Sequence, residues 1–262
     1  TTYIIMKPLI MVTNDDSVNA PGLYRLIDVL QEFGNVIAVA PARPQSGMSS
    51  AISVNTALRI NSLPDYGDTR VFSVNGTPVD CVKLGLAAVM PRKPDFLFSG
   101  INHGSNSGTA ITYSGTMGAA LEGCMAGIPS VGFSLLHHSL KADFSFSMPF
   151  IREIAAKVIE NGLEPGICLN VNIPAKVEPK GVRVCRAAKG HWSEEYSRYL
   201  DPEGHPFYWL TGRFVNEEPD ADDTDEYWLG NEFISVVPAR ADQTDIEAVK
   251  RSRRLYDSDR EL

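Results

Sequence analysis

Two adjacent carboxylates, Asp15 and Asp16, close the first hydrophobic run, in Met11-Val12-Thr13-Asn14-Asp15-Asp16-Ser17. At roughly 5 Å such a pair repels by about 3 kcal/mol at an effective dielectric near 20, and a divalent cation removes that penalty. Leu9 to Val12 read as a buried strand leading into the pair. In open α/β sheets ligands bind outside the carboxyl ends of the strands, so the pair stands where chemistry is placed. Neighbouring strand side chains point to opposite faces, but a tight turn after the strand can bring both carboxylates to one ion. A solvated Asn-Asp turn accounts for the same letters, and on this heptapeptide alone it is the simpler account.

A second window with chemical content follows the apolar strand Phe96-Leu97-Phe98-Ser99. Gly100-Ile101-Asn102-His103-Gly104-Ser105-Asn106-Ser107-Gly108 is rich in glycine and amides, as a loop must be where backbone approaches a ligand. Tyr113-Ser114-Gly115-Thr116-Met117-Gly118 then puts Ser-Gly-Thr at the start of a small-residue helix, whose free amides and dipole form a natural phosphate seat. An N-capped helix packed closely through Gly118, Ala119 and Ala120 fits the same letters, and both readings can hold together. Pro41 to Ala51, with Ser46 and Gly47, can bring a serine oxygen and backbone amides to an anion or metal. As a flexible Pro/Gly/Ser loop it needs no ligand. Asn75-Gly76-Thr77-Pro78 is a helix start, with Thr77 as cap and Pro78 at the first position, or a lining for a ligand cleft.

The elements that must position these residues follow from periodicity. Leu23, Leu26, Ile27, Leu30 and Phe33 recur at helical spacing after Pro21, with Gly34 as the stop, and Val36 to Ala40 is a second short strand. This βαβ opening argues for a parallel, Rossmann-like sheet, although no G-x-G-x-x-G or Walker A sequence is present. Ile52 to Ile60 and Val71 to Val74 read as extended around a polar turn at Pro64 to Asp68. Val79, Val82, Leu86 and Val89 supply a helix face, and Pro129 to Leu135 another strand. His137 to Ser147 breaks the pattern and suggests a boundary, so residues 1–140 are expected to form the catalytic core and 141–262 a smaller C-terminal part completing the sheet. A helix from Met148 to Glu160, a strand from Cys168 to Ile173 and a last strand from Phe233 to Val237 belong to that part. Between them, Val182, Val184, Trp192, Tyr196, Tyr199, Phe207, Tyr208 and Trp209 suggest hairpins with aromatic faces, suited to oligomerisation. The acidic stretch Glu217 to Glu226 reads as a solvated loop without metal.

With 262 residues and 44% hydrophobic content, the chain can bury a substantial core. A formal net charge of -8 and no basic stripe argue against a nucleic-acid polymer as partner, but leave room for a small phosphorylated ligand. Cys81, Cys124, Cys168 and Cys185 lie far apart, so neither a zinc site nor a disulfide framework is expected. No basic leader with an apolar signal segment and no membrane-length apolar run is found, and a reducing cytoplasm is the expected location.

Four windows occur in one order: Thr13-Asn14-Asp15-Asp16, Pro41 to Ser50, Gly76-Thr77-Pro78-Val79-Asp80-Cys81-Val82, and Ser99 to Gly123. Asp223-Thr224-Asp225, Ile234-Ser235-Val236-Val237-Pro238 and Asp242-Gln243-Thr244-Asp245 follow. In this the chain resembles the SurE family (survival protein E), metal-dependent 5'/3'-nucleotidases acting on nucleoside monophosphates. The resemblance implies an α/β, Rossmann-like, mostly parallel sheet flanked by helices, with a hairpin-rich C-terminal part that exchanges segments to form homodimers or homotetramers. It implies one divalent ion per subunit held by Asp15, Asp16, Ser46 and Asn102, all oxygen donors suited to Mg²⁺ or Mn²⁺. It places phosphate contacts at Asn106, Ser114, Gly115 and Thr116, with an amide from Gly47 and Asn102 nearby. The family usually has Gly where this chain has Ser17, and Asp and Asn where it has Ala42 and Pro44.

The reaction these residues are expected to carry is phosphate-monoester hydrolysis by metal-activated water, with Asp15 and Asp16 as the catalytic pair. An aspartyl-phosphate is the less favoured route, because both carboxylates are assigned to the ion. His103, beside Asn102, is of a residue type that can protonate a leaving alkoxide, but a loop histidine facing solvent is the simpler account. A nucleotide-sugar transferase also uses paired carboxylates and a metal, yet the D-x-D pattern is absent. A nucleotide-binding regulator without turnover would keep only the phosphate seat.

Overall fold

Leu9–Thr13 forms the first strand, β1, buried on both faces. Its side chains alternate as a strand's must: Ile10 and Val12 enter one apolar layer, Leu9 and Met11 the other. The computed structural model describes residues 7–257 of the chain. After β1 come helix α1 (Pro21–Leu30), β2 (Asn35–Pro41), β3 (Ile60–Tyr66), β4 (Thr69–Val74) and helix α2 (Pro78–Ala88). Then follow β5 (Phe96–His103), a short 3₁₀ helix (Gly108–Thr112), α3 (Gly115–Met125), β6 (Ser130–Leu135), α4 (Met148–Asn161) and β7 (Ile167–Ile173). The remainder contains β8 (Val182–Val184), β9 (Gly190–Ser193), β10 (Tyr196–Leu200), β11 (Pro206–Leu210), β12 (Arg213–Asn216), α5 (Asp225–Gly230), β13 (Ile234–Arg240) and α6 (Ile246–Tyr256).

Among the described residues, nine strands form one sheet in the order β3-β4-β2-β1-β5-β6-β7-β13-β8. From β4 to β7 the neighbours are parallel; β3 and β13 join antiparallel. The fold is α/β and Rossmann-like, with α1 and α4 packed on one face and α2 and α3 on the other. From β1 the chain passes to β2 on one side and later to β5 on the other, so the order reverses between β1 and β5. At such a switch point the two connections diverge and leave a crevice at the carboxyl ends. Asp15 and Asp16 follow β1, and Asn102 lies at the end of β5.

The helix starts obey local chemistry. Thr77 and Asp80 form a reciprocal capping box: the Asp80 amide donates to Thr77 Oγ1 at 3.1 Å and the Thr77 amide to Asp80 Oδ2 at 2.9 Å. Asp80 has a second duty, and it explains a departure from the sequence reading. Residues 52–59 are irregular and mostly exposed instead of extended. Ser53 donates its amide and hydroxyl to Asp80, and the Arg59 amide donates to Asn75 Oδ1, so side chains satisfy this backbone where a neighbouring strand would.

The C-terminal half departs further. Val182–Val184 is no hairpin strand but runs parallel to β13 at the sheet's edge. The aromatic hairpins are real as β10–β11 and β9–β12, both antiparallel. The acidic stretch is not a solvated loop throughout: Thr224 and Asp225 are fully buried, and Thr224 caps α5. Helix α6 has no buried residue. No helix among the described residues is long and apolar enough to cross a membrane. Cys81, Cys124, Cys168 and Cys185 are free thiols, the first three buried.

Candidate active site

The carboxylates of the Asp pair have different surroundings. Asp15 is 3% exposed and lies against the first turn of α3. The Thr116 hydroxyl donates to its Oδ1, and the Thr116 amide also faces it. Burial first, then the neighbouring charge of Asp16, raises its pKa to about 6 against the Thr116 hydrogen bonds. Asp16 is held from β5: the His103 amide and ring Nδ1 lie 2.9 and 2.8 Å from its Oδ2. His103 therefore does not face solvent as the sequence reading had it. Its side chain is 2% exposed, packs edge-on against Phe144, and leaves Nε2 without a partner among the described residues.

The other donors gather at the same edge. Asn102 is buried, and its Nδ2 donates to the Gly104 carbonyl at 3.0 Å, which fixes which way the amide is turned. Ser46 and Gly47 sit on an exposed rim loop tied down one residue earlier, where the Gln45 amide donates to the Asp15 carbonyl at 2.7 Å. That loop is also clamped to the approach to α3. The Ser49 amide donates to the Tyr113 carbonyl at 3.1 Å, and its hydroxyl to the Thr112 carbonyl at 2.6 Å.

Ser114 caps α3, accepting from the Met117 amide at 3.0 Å. Gly115 is required by packing: a β-carbon there would stand 2.8 Å from Asp15 Cβ and 3.1 Å from its Oδ2. The helix N-terminus thus closes directly on the buried carboxylate, with the Thr116 amide turned to Asp15 and the Met117 amide held by Ser114. Asn106 is buried in the loop after β5. Its backbone is gripped by Asn172 Oδ1 and Asn170 Nδ2, both at 2.8 Å, and its own Nδ2 donates to Ser134 Oγ. One amide hydrogen of Asn106 remains for an anion.

Residues 10–194 match the family model described as Survival protein SurE. The chain is 48% identical over 238 residues to the Phocaeicola vulgatus protein named 5'-nucleotidase SurE, covering 91% of this chain and 93% of that one. With the protein of the same name from Flavobacterium psychrophilum it shares 47% identity over 247 residues, 93% and 96% of the two chains. The crystal structure of SurE protein from Aquifex aeolicus superposes with a TM-score of 0.82 at 34% identity, over 95% of this chain and 100% of that chain. The chain belongs to the SurE family.

A divalent ion, which SurE membership implies, suits this donor set. Asp15 is a buried carboxylate whose surroundings are burial, a second carboxylate and hydrogen bonds, with no cationic side chain among them. Beside it, Asn14 Oδ1 is buried without a partner among the described residues. Two carboxylates, a hydroxyl and an amide carbonyl are hard oxygen donors, the set preferred by Mg²⁺ and Mn²⁺. Ser17, where SurE proteins usually carry Gly, takes φ +96° and is 7% exposed. That conformation is uncommon for a residue with a β-carbon.

Several supporting residues escaped the sequence reading of this SurE chain. The hold of His103 on Asp16 spans 87 positions and has no local signal. Asn170 and Asn172 did leave one: two amides at period two in the apolar strand Ile167–Ile173 mark a buried polar row. Asp225 was noted only within Asp223-Thr224-Asp225. It accepts the amides of Gly108, Ala188 and Glu226, each at 2.8 Å, and so anchors the loop after β5 to the C-terminal half.

Proposed function

We propose that this chain hydrolyses nucleoside 5'-monophosphates, and 3'-monophosphates at the same site, to nucleoside and inorganic phosphate, using one Mg²⁺ or Mn²⁺ ion per subunit. The observation that carries this reading is the contact between a buried carboxylate, Asp15, and the N-terminus of α3. A cation at the first and a phosphate at the second would meet in one crevice. The relatives named 5'-nucleotidase SurE support the same substrate class.

Asp15, Asp16, Ser46 and Asn102 would hold the ion. When bound, it supplies charge neutralisation, polarisation of a phosphoryl oxygen and a lowered pKa for water. The chain's own residues do the rest. Amides of Gly115 and Thr116, the Ser114 hydroxyl, the free Asn106 hydrogen and the Gly47 amide bind the phosphoryl oxygens as charge redistributes. His103 is a positioning residue: it fixes Asp16 through Nδ1 and its own amide. Water is the attacking group in this reading, because Asp15 is already engaged by Thr116 and by its role as ligand. Trapping a phosphoenzyme on Asp15 or Asp16 would overturn that choice.

The decisive experiment is phosphate release from AMP. Turnover is expected with Mg²⁺ or Mn²⁺ and none with chelator; binding of AMP without release would leave a regulator instead. A second copy of the chain is the proposed protein partner, in a dimer or tetramer. The exposed aromatic hairpin β10–β11 and the unburied helix α6 support it. A single species at monomer mass in analytical ultracentrifugation would remove that partner.

A further inference from the structure

Beside the loop after β5 lies a cleft of about 390 Å³ that none of the assigned site residues line. Trp192 of β9 and Phe214 of β12, Leu136 after β6, Ser107, and Glu226 of α5 enclose it. Trp192 and Phe214 pack edge to face, with ring centroids 6.1 Å apart, so the wall is aromatic and fixed. The cleft opens at the carboxyl edge of the sheet, and β6 lies two positions from β1. At roughly 4.8 Å per strand the Leu136 rim of the cleft stands about 10 Å across the sheet from β1, within the span of one nucleotide.

We propose that this cleft is the nucleobase subsite and that Glu226 makes it selective for guanine. The inference rests on the nucleotidase reading and deepens it. Its logic is donor counting. The Glu226 carboxylate accepts one hydrogen bond, from the Ser107 hydroxyl, and no basic side chain is among its partners. Burial, followed by the charge of Asp225, pushes it above the usual carboxylate range, the mark of an acceptor short of donors. Guanine presents two adjacent N–H donors, on N1 and N2, which a carboxylate takes together. Adenine presents one amino donor beside a ring nitrogen acceptor, which would face carboxylate oxygen with no proton between. A flat ring lying against the Trp192–Phe214 wall supplies the remaining contact.

The test compares GMP, IMP and AMP on the unaltered chain and on Glu226→Gln, with p-nitrophenyl phosphate as a substrate lacking a base. On the unaltered chain kcat/KM for GMP should exceed that for AMP by at least about ten-fold, with IMP between, because a site built for donors rejects the analogue that lacks them. Glu226→Gln should bring the GMP to AMP ratio to within about three-fold of unity. Guanosine should raise the KM for AMP at unchanged kcat. In chelator, calorimetric titration of guanosine and adenosine into the unaltered chain should give the tighter binding to guanosine. Equal affinities, equal kcat/KM for the two nucleotides, or inhibition at unchanged KM would each overturn the subsite. Turnover of p-nitrophenyl phosphate and AMP without guanine preference would leave the nucleotidase reading standing. Loss of all turnover would strike that reading instead, and the metal-free titration would still decide the cleft.

Discussion

Asp15→Asn separates the cost of the buried charge from its use. The exchange removes a charge with almost no change of shape, and an amide oxygen can still accept from Thr116. In the metal-free chain Asp15 titrates near 6 instead of 3.8, a difference of about 2 units. At about 1.4 kcal/mol per unit this is about 3 kcal/mol. Below pH 3.8 both folded and unfolded chains hold the proton and nothing is lost. Between 3.8 and 6 the unfolded chain ionises first, so stability falls as pH rises and levels off above 6. Asp15→Asn removes that loss. In chelator at pH 7.5 it should melt above the parent by up to about 3 kcal/mol, roughly 6–12 °C for a chain of this size. Near pH 4 the difference should shrink below about 1 kcal/mol. Adding Mn²⁺ should raise the parent's melting temperature and leave the variant's unchanged, while AMP turnover disappears from the variant. Differential scanning fluorimetry with a phosphate-release assay reads all of this. A variant that melts below its parent in chelator at pH 7.5, or a difference independent of pH, would refute the reasoning.

Three further substitutions test the surrounding frame. Ser17→Gly relieves a positive φ of 96° at the cost of a long 3.3 Å bond to the Asn19 amide, and should raise stability by about 1 kcal/mol in urea unfolding. Gly118→Ala would set a β-carbon 2.1 Å from the Ser49 carbonyl oxygen, so the rim loop must move. AMP turnover should fall at least about ten-fold, with a larger KM for Mn²⁺, and unchanged kinetics would show that the loop's seat is irrelevant. Asp225→Ala leaves the Gly108 and Ala188 amides unpaired in a buried place and should cost about 3 kcal/mol in the same unfolding assay. A loss below about 1 kcal/mol would mean that water replaces the carboxylate.

What the sequence could reveal follows from how far apart the partners are. The parallel strands from β1 to β7 were readable because each announces itself within a dozen residues, as do the helical spacing of α1 and the Thr77-Pro78 start of α2; β3 was not, since it runs through Pro64 to Tyr66, where the sequence suggests a turn. The gathering of Asp15, Asp16 and Asn102 at one edge follows from placing successive strand ends in a parallel sheet. The bond between His103 and Asp16 could not be read, since nothing near either residue encodes the other. The irregular course of residues 52–59 was hidden for a related reason, its donors being satisfied by Asp80 and Asn75 further on. Asp225 looked solvated because its neighbours are acidic, yet its partners are amides from positions 108 and 188. Helix α6 was missed because five polar residues in a row, Lys250 to Arg254, interrupt the apolar spacing between Val249 and Leu255.

The grip on Asn106 and Gly108 has an engineering consequence. Asn170, Asn172 and Asp225 all come from beyond residue 140, while the proposed ligands all come before it. An excised first half would keep every proposed metal donor and still lack the brace that shapes its anion pocket. Attempts to shrink this enzyme should therefore trim the aromatic hairpin and spare β7 and α5.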